Sequence, residues 1–300
     1  MVCFKGISQK EQGKKMRPID GTTYICGLIG NPVAHTKSPA IHNFLAEKTG
    51  FNLAYGAFPV ATGKLSEAIP GAYALGIKGL NVTVPYKEEV IPFLSDIDPL
   101  AKKIGAVNTL VRTEGGYKGF NTDMPGLLRA LERDGVDIKG EDVIILGAGG
   151  VARAAAMMLE ENGASSVTLI NRNTDRAEEL AGSINEICGR SFAHPLPISG
   201  YERLPHDAKY IVIQATSVGM HPDTEKAVIE DPEFYKRVKV GYDLIFNPPE
   251  TRFMKLCNEA GAESYNGSKM LLYQGIIAYE YWTGLSISDE LADECFAEVF

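Results

Sequence analysis

The stretch that decides the fold is residues 143–152, Val-Ile-Ile-Leu-Gly-Ala-Gly-Gly-Val-Ala. Its first four residues are apolar, which is typical of a strand buried on both faces of a parallel sheet. Gly147, Gly149 and Ala152 then match the G-x-G-x-x-[GA] pattern, and an alanine-rich run follows that predicts a helix. The glycines allow a tight turn and close approach of a pyrophosphate, and the alanine lets the helix pack on the sheet. We therefore expect a dinucleotide-binding unit; a glycine turn without a ligand is the alternative.

Apolar runs that follow this unit continue the pattern. Strands are predicted over 167–170, 211–213 and 240–244, and a helix is predicted over 152–162. Strands that alternate with helices indicate an α/β fold with a mostly parallel sheet. This rhythm is typical of a doubly wound nucleotide-binding domain.

The N-terminal half also alternates strand and helix patterns. Ser38 is predicted to cap a helix that begins at Pro39, because serine is a favoured cap and proline is favoured at the first helical position. Glu114-Gly115-Gly116, between two extended runs, predicts a hairpin. The remaining predicted strands are 24–29, 53–58, 80–84, 106–112 and 117–120, and the remaining predicted helices are 65–75, 125–133 and 270–282.

Composition and charge argue against several classes of protein. The 300 residues are 45% hydrophobic and 23% charged, which suffices for more than one core. A net charge of −8 without a Lys/Arg cluster argues against a nucleic-acid partner. No apolar run is long enough to span a bilayer, and the basic N-terminus lacks the apolar core of a secretory signal. The sequence therefore predicts neither a membrane partner nor secretion.

The cysteines and histidines show no pattern of a metal site or a disulfide framework. The cysteines are scattered, odd in number and without a C-x-x-C pair, so a reducing, cytoplasmic location is expected. The histidines lack metal-ligand spacing, and no metal is predicted. The cysteines are Cys3, Cys26, Cys188, Cys257 and Cys295, and the histidines are His35, His42, His194, His206 and His221.

Arg172, after the strand predicted at 167–170, bears on the choice of cofactor. An NAD enzyme places an acid at the end of this strand to bind the ribose 2′-hydroxyl. This chain has Asn171-Arg172-Asn173 there, with Arg176 one turn further. A guanidinium can pair with a 2′-phosphate and stack on adenine, so NADP is predicted over NAD. The alternative is that both arginines are solvated residues at the start of a helix.

Lys87 and Asp123 each follow an extended segment, in residues 81–87 and 119–123 respectively. Ligands bind at such strand ends in open α/β sheets, and this pair could transfer protons if the two side chains converge. Spacing alone does not establish convergence, and on spacing alone Lys87 would be interpreted as a surface lysine.

At these residues the chain resembles the shikimate dehydrogenase family, from Tyr24 to the C-terminal helix. Several independent motifs in the same order make this similarity specific. The matching segments are 30–39 (Gly-Asn-Pro-Val-Ala-His-Thr-Lys-Ser-Pro), 81–87 (Asn-Val-Thr-Val-Pro-Tyr-Lys), 104–109 (Ile-Gly-Ala-Val-Asn-Thr), 121–123 (Asn-Thr-Asp), 147–150, 215–220 (Ala-Thr-Ser-Val-Gly-Met) and 266–274.

The resemblance implies two α/β domains and a reaction. Residues 23–124 plus 260–300 would form the substrate domain, residues 125–259 a Rossmann-like NADP domain, and residues 1–22 an N-terminal extension. The reaction would be the reversible, NADPH-dependent reduction of 3-dehydroshikimate to shikimate in chorismate and aromatic amino acid biosynthesis. The substrate would lie in the cleft facing the nicotinamide, in a monomer or a homodimer.

The resemblance also implies roles for individual residues. Lys87 would exchange a proton with the substrate oxygen, and Asp123 would hydrogen-bond the same group and hold Lys87. Thr36 and Ser38 would bind the carboxylate at a helix N-terminus, where an anion is favoured. Ring hydroxyls would be bound by Thr83, Asn108 and Gln274, and NADP by Gly147, Ala148, Gly149, Gly150, Val151, Asn171, Arg172, Arg176, Thr216, Leu244 and Gly267.

Four positions depart from the family pattern. Thr36 stands where serine is usual, and its added methyl narrows the carboxylate loop. Phe246 replaces a frequent tyrosine, which removes a hydroxyl near the substrate or the nicotinamide. Gln214 stands where asparagine is usual, and Asn173 where threonine is frequent. Thr36 therefore leaves the choice between shikimate and quinate open.

Three alternatives remain at this point. The nearest is a quinate/shikimate dehydrogenase that uses NAD or NADP. A non-catalytic metabolite sensor of the same fold would be expected to lack Lys87 or Asp123, whereas both are present. A folate-type dehydrogenase fits less well, because the hydroxyl-rich motifs suit a polyol acid.

Overall fold

The structure, a computed structural model, describes residues 19–300, which fold into two six-stranded sheets. Cys3 and most of the expected N-terminal extension lie outside the described residues. The strands of the first sheet are β1 (Tyr24–Gly30), β2 (Leu53–Pro59), β3 (Gly79–Val82), β4 (Asp96–Ile97), β5 (Thr109–Thr113) and β6 (Gly116–Phe120). Those of the second are β7 (Asp142–Leu146), β8 (Ser166–Asn171), β9 (Ala193–Pro197), β10 (Tyr210–Gln214), β11 (Val238–Asp243) and β12 (Glu263–Tyr265).

Helices connect the strands and join the two sheets. Two 3₁₀ turns, at Ile91–Phe93 and Ile198–Arg203, supplement them. The helices are α1 (Ser38–Thr49), α2 (Leu65–Ala74), α3 (Pro99–Ile104), α4 (Asp123–Arg133), α5 (Gly150–Glu161), α6 (Thr174–Cys188), α7 (Pro232–Tyr235), α8 (Arg252–Glu259), α9 (Ser268–Thr283) and α10 (Asp289–Val299).

The first sheet is mixed, in the order β2-β1-β3-β5-β6-β4. β1 pairs in parallel with β2 and β3, whereas β5 pairs antiparallel with β3 and β6. Thr113 lies opposite Gly116, so the predicted hairpin is confirmed. β3 ends at Val82, two residues before the predicted end, because the chain turns there and Tyr86 N–H donates to Thr83 O at 2.9 Å.

The second sheet is parallel throughout, in the order β12-β11-β10-β7-β8-β9. β7 lies inside the sheet, and all four apolar residues of its run are buried. The chain passes from β7 outward through β8 and β9, then returns to β10 on the other side. This is the doubly wound arrangement that the glycine pattern and the alternating runs predict, and the α/β fold class is confirmed.

The predicted cap of α1 is wrong. The helix begins at Ser38 itself, Lys37 occupies the cap position, and no side chain makes a capping hydrogen bond. Pro39 therefore stands one position further into the helix than predicted, where its missing N–H still costs no intrahelical bond. The Ser38 hydroxyl instead accepts from Thr36 Oγ1 at 3.1 Å.

α4 and α9 pack against each other and connect the two sheets. A Cβ on Gly126 would lie 2.7 Å from the Gln274 backbone nitrogen, so the two helices approach as closely as glycine allows. Below this contact, Asp134 pairs with Lys269 of α9 and accepts from the Tyr242 hydroxyl of β11 at 3.2 Å. The domain boundaries near 124 and 260 stay a prediction.

Candidate functional site

A cavity of about 490 Å³ lies beyond the ends of β1 and β3. β1 ends at Gly30 and β3 at Val82, so the chain turns away there and leaves side chains of several loops facing one space. The residues that line it include every predicted substrate-binding residue: Thr36, Ser38, Thr83, Lys87, Asn108, Asp123 and Gln274.

Lys87 and Asp123 converge in this cavity. Lys87 Nζ donates to Asp123 Oδ2 at 2.6 Å, and the two side chains are 31% and 18% exposed. The turn after β3 carries Lys87, whose carbonyl accepts from Val107 N–H at 2.8 Å. Asp123 is the first residue of α4, and its N–H donates to Asn121 Oδ1 at 3.1 Å. The pair is ordered by the backbone on both sides and still reaches solvent, as a proton-transfer pair requires.

The loop before α1 carries Thr36 and Ser38. Ser38 N–H donates to Thr36 Oγ1 at 3.2 Å, and the two hydroxyl oxygens lie 3.1 Å apart. Ser38 N–H is thus engaged with Thr36 and Pro39 has no N–H, so the polar groups that this end of α1 offers to a ligand are mainly the two hydroxyls. Two hydroxyls at an uncapped helix N-terminus suit a carboxylate.

Asn108 has its side-chain amide orientation set by the protein. Its Oδ1 accepts from Thr122 N–H at 2.7 Å and from Thr109 Oγ1 at 3.1 Å. A backbone N–H can only donate, so this contact fixes the oxygen, and the Nδ2 group is left to donate into the cavity. Asn108 therefore presents a donor to a ligand oxygen, such as a hydroxyl.

Asn81 lines the same cavity and was not singled out as a site residue from the sequence. Its Oδ1 accepts from Tyr55 Oη at 2.6 Å and lies 3.2 Å from His42 Nε2. Its Nδ2 donates to Asn108 O at 3.3 Å and Thr109 Oγ1 at 3.1 Å. Because these contacts use the whole amide, Asn81 positions Asn108 rather than binding a ligand. Its place at the start of the 81–87 motif is the signal that could have found it.

His42 lies behind Asn81, fully buried and stacked on Tyr55 with 4.2 Å between ring centres. Burial lowers the pKa of His42 to about 3, against the smaller opposing effect of the Asn81 hydrogen bond. The imidazole is therefore neutral, and its Nδ1 has no hydrogen-bond partner among the described residues. His42 serves the packing beneath the cavity, and its lowered pKa keeps it from proton transfer near neutral pH.

A second cavity of about 850 Å³ opens between the two sheets. Phe246, which replaces the frequent tyrosine, belongs to the walls of both cavities. Lys87 and Asp123 also belong to both, which places this pair where the cavities meet. The full set of shared residues is Val84, Lys87, Asp123, Leu244, Phe246 and Met270.

The glycine turn after β7 has the properties of an anion site. Gly147 has φ +126°, and a Cβ there would lie 2.9 Å from the Thr216 methyl. Gly149 is the cap residue of α5 and makes no side-chain capping bond. A Cβ on Gly149 or Gly150 would meet nothing within 4 Å, so open space lies before the helix N-terminus. Free N–H groups facing open space fit a pyrophosphate.

The predicted cofactor residues fall into three places. Gly147, Ala148 and Gly149 form the turn itself. Asn171, Arg172 and Arg176 lie at the end of β8 and the start of α6. The second cavity is lined by Gly150, Val151, Thr216 and Leu244, and the first by Leu244 and Gly267.

The end of β8 presents two unpaired guanidinium groups. Arg172 and Arg176 are exposed, and neither forms an ion pair with any residue in the range 19–300. Asn173, the replacement for threonine, caps α6 by accepting from Arg176 N–H at 3.2 Å. Asn171 Nδ2 donates to Asn173 O at 2.8 Å and tightens this turn. β8 is the strand next to β7, which carries the glycine turn. Unpaired cations at the end of β8 therefore fit the 2′-phosphate of a dinucleotide bound at that turn.

Gln214 and Asp243 hold the loops on the cofactor side. Gln214 Oε1 accepts from Thr216 N–H at 2.5 Å, and its Nε2 donates to Asp243 Oδ1 at 3.2 Å. Asp243 also accepts from Ile245 N–H at 2.9 Å and Thr251 Oγ1 at 2.6 Å. Burial raises the pKa of Asp243 to about 6, although these hydrogen bonds lower it. Glutamine at 214 therefore connects the loop of Thr216 to the loop of Ile245.

Gly267 allows two backbone segments to cross beside both cavities. Its N–H donates to Ile245 O at 2.9 Å. A Cβ on Gly267 would lie 2.3 Å from Leu244 O, so no larger residue fits without a shift. Leu244 and Gly267, predicted separately as cofactor residues, are thus direct neighbours.

Residues 19–300 contain neither a metal-binding group nor a membrane-spanning helix. No group of three or more His, Cys, Asp or Glu side chains is arranged to hold a metal ion there. No helix in this range combines the length and the apolar character needed to cross a membrane.

The chain matches two family models. Residues 28–110 match the model described as shikimate dehydrogenase substrate binding domain. Residues 129–219 match the model described as shikimate / quinate 5-dehydrogenase. The first match covers the loop of Thr36 and the turn of Lys87, and the second covers the glycine turn and Arg172.

Curated relatives and solved structures agree with these matches. A shikimate dehydrogenase (NADP(+)) of Moorella thermoacetica is 40% identical over 286 residues, which cover 94% of this chain and 96% of the relative. A crystal structure of a shikimate dehydrogenase in complex with NADP+ has a TM-score of 0.85 at 35% identity, and covers 96% of this chain and 100% of that one. A shikimate 5-dehydrogenase from Listeria monocytogenes, in complex with shikimate and NAD, has a TM-score of 0.85 at 31% identity, with 93% of this chain and 98% of that one covered.

Proposed function

Since the chain belongs to the shikimate dehydrogenase family, we propose that it catalyses the reversible, NADPH-dependent reduction of 3-dehydroshikimate to shikimate. The observation that carries this proposal is the Lys87–Asp123 pair, 2.6 Å apart, where the two cavities meet. One cavity offers hydroxyl and amide donors, and the other opens onto the glycine turn. A proton-transfer pair between them suits a reaction that adds a hydride and a proton to a ketone.

The chain's own contribution to the chemistry is proton transfer and orientation. NADPH, when bound, supplies the hydride to the ring ketone carbon. Lys87 Nζ donates a proton to the carbonyl oxygen, which becomes the hydroxyl, and takes it back in the reverse direction. Asp123 accepts a hydrogen bond from Lys87 and would accept one from the same hydroxyl. It therefore holds the ammonium and the substrate oxygen next to each other for proton transfer.

Substrate recognition follows from the donors and acceptors in the first cavity. The hydroxyls of Thr36 and Ser38, at the N-terminus of α1, would bind the carboxylate. Asn108 Nδ2 would donate to a ring hydroxyl, and Thr83 and Gln274 would complete the set. A small polyol acid uses all of these groups, whereas an apolar ligand would leave them unpaired.

Cofactor recognition follows from the glycine turn and from β8. The N–H groups of 149–151 would hold the pyrophosphate, and Arg172 with Arg176 would hold the 2′-phosphate. Thr216, Leu244 and Gly267 would border the nicotinamide beside Lys87. The residues present fit NADP better than NAD, because no acid stands at the end of β8.

A quinate/shikimate dehydrogenase is the second candidate. The Thr36 methyl supports this candidate, because it changes the loop that would bind the substrate carboxylate. The test is nicotinamide absorbance with NADP⁺ or NAD⁺ and with shikimate or quinate. Reduction of NADP⁺ with shikimate supports the main proposal. Quinate turnover, or a preference for NAD⁺, would move the protein to the second candidate, and no turnover in any pairing would contradict both.

We also infer that the protein works in the cytoplasm as a monomer or homodimer without a nucleic-acid partner. The cysteines of the described range are free. Burial raises the pKa of Cys26, Cys257 and Cys295 to about 12, so these thiols stay protonated. Fractionation of cells and light scattering of the purified protein test the location and the assembly.

A further inference from the structure

Lys37 stands between the two proposed carboxylate ligands, Thr36 and Ser38, and lines the substrate cavity. It also occupies the cap position of α1. Within the described range it forms no ion pair with a carboxylate. The wall of the proposed carboxylate site therefore includes a lysine.

The last turn of α10 holds this lysine. Lys37 Nζ donates to Val299 O at 2.6 Å and lies 4.9 Å from the centre of the Phe300 ring. The Phe300 ring in turn stacks on Phe296 at 5.1 Å between ring centres. A carbonyl oxygen and an aromatic face both attract a cation without neutralising it. The contacts with Val299 and Phe300 therefore fix the position of the Lys37 ammonium and leave it charged.

Ion pairs fix α10 itself. Arg133 of α4 pairs with Asp289 at 3.1 Å and Asp293 at 2.8 Å, and Lys48 of α1 pairs with Glu294 at 2.6 Å. α10 is thus tied by ion pairs both to α1, which follows the 36–38 loop, and to α4, which begins at Asp123. Its C-terminal end meets Lys37 at the start of α1, whereas Glu294 meets Lys48 at the end of α1.

We propose that Phe300 and Val299 position Lys37, so that the 36–38 loop and its cation are set in advance to receive the substrate carboxylate. Phe300 is a positioning residue in this scheme, because it acts through Lys37. The inference rests on the proposed function, since it assigns the 36–38 loop to a carboxylate. If the Lys37 side chain is already held in its binding position, it loses less conformational entropy when the substrate binds. The effect should therefore fall mainly on substrate affinity.

The experiment compares steady-state kinetics of Phe300→Ala and Phe300→Leu with the unmodified protein. Both variants are expected to raise KM for shikimate by about three- to tenfold, from loss of the aromatic face, with kcat and KM for NADP⁺ within about twofold. Phe300→Leu keeps apolar packing on Phe296, so a change shared by both variants is not a packing defect. Lys37→Met is expected to raise KM at least as much, and Lys37→Arg to restore most of the affinity.

Lys48→Ala is the matched control, because it breaks a tie between the same two helices at the far end of α1. It is expected to leave KM for shikimate unchanged. The Phe300 effect is also expected to shrink with methyl shikimate, whose ester carries no charge.

Three results would overturn the inference: an equal rise in KM for Lys48→Ala, an equal effect on acid and ester, or an unchanged or lower KM for shikimate in the Phe300 variants. Turnover of shikimate by the unmodified protein decides the proposed function separately. If that turnover is absent, both the proposed function and this inference fail.

Discussion

At the scale of single residues, Lys87 and Asp123 acquire a possible function only through their contact in the folded chain. They are 36 positions apart in the sequence, and each follows an extended segment. The turn after β3 and the start of α4 bring their polar atoms to 2.6 Å. A surface lysine and a helix-start aspartate thereby become one candidate proton-transfer pair.

Lys87→Ala should lower kcat by ~10²–10⁴ while the fold is retained. The side chain is partly exposed and its backbone contact to Val107 does not need it, so the loss falls on chemistry. A steady-state assay of nicotinamide absorbance measures kcat, and circular dichroism checks the fold. A loss below about threefold would show that Lys87 is not the acid–base group.

Every substrate residue that the family resemblance predicted lines the first cavity, whereas the groups that orient these residues were not predicted. Asn81 was passed over because an asparagine in a strand has no pattern of its own. Its role depends on Tyr55, His42 and Thr109, which only the fold brings to its four hydrogen-bonding sites. Lys37 likewise acquires its aromatic partner from the far end of the chain.

At the scale of elements, apolar periodicity predicted the long buried elements and failed at the edges. β7 and α9 were predicted within a few residues. β9 was not predicted, since its edge position leaves His194 and Pro195 exposed and removes the apolar run. β12 is only three residues long, and α10 is acidic on its exposed face, so neither shows a clear pattern.

Under the proposed function, the end of β8 is expected to set the cofactor preference. Arg172→Asp should shift the preference from NADP⁺ towards NAD⁺, because a carboxylate repels a 2′-phosphate and accepts from a ribose hydroxyl. The ratio of kcat/KM for the two cofactors should fall by about tenfold or more, at roughly unchanged kcat with NAD⁺. Glu178→Gln, on the exposed surface of α6, is a charge control that should leave the ratio alone. An unchanged ratio in Arg172→Asp would place the 2′-phosphate elsewhere.

The contact between α4 and α9 depends on Gly126. Gly126→Ala should destabilise the protein by about 1–3 kcal/mol, because the added Cβ would lie 2.7 Å from the Gln274 backbone nitrogen. Urea unfolding monitored by circular dichroism gives the free energy of unfolding.

Gly182→Ala in α6 is the matched control for this substitution. Nothing lies within 4 Å of its Cβ position, so alanine there should stabilise the protein by about 0.5–1 kcal/mol. If both substitutions changed the free energy of unfolding in the same direction, helix propensity rather than the α4–α9 approach would dominate at Gly126.

At the scale of the whole molecule, two buried groups with opposite pKa shifts lie far apart in the fold, His42 on α1 and Asp243 at the end of β11. The His42 pKa falls from 6.5 to about 3, so stability from this group is present above 6.5 and is lost as pH falls. The Asp243 pKa rises from 3.8 to about 6, so stability from this group is present below 3.8 and is lost as pH rises through 6. Between pH 4 and 6 the two dependences oppose each other.

Removing either group should therefore change the slope of stability against pH in opposite directions. His42→Gln should make the free energy of unfolding fall more steeply, or rise less, from about pH 4.5 to 6. Asp243→Asn should make it rise more steeply over the same range. Each change should be at most about 1.4 kcal/mol per pH unit. Urea midpoints at several pH values measure these slopes, and parallel curves for all three proteins would contradict both shifts.

By itself the sequence determined the α/β class, the glycine turn and the family, and it predicted NADP as the cofactor, because these depend on local periodicity and on short motifs. The tertiary structure decided which groups face a ligand and which serve other residues. Asn108 is left with a free donor because Thr122 occupies its oxygen, Ser38 is a helical residue rather than a cap, and Lys37 is held by Phe300. Such assignments depend on hydrogen-bond partners and charges from distant segments, which become neighbours only when the sheets and helices pack.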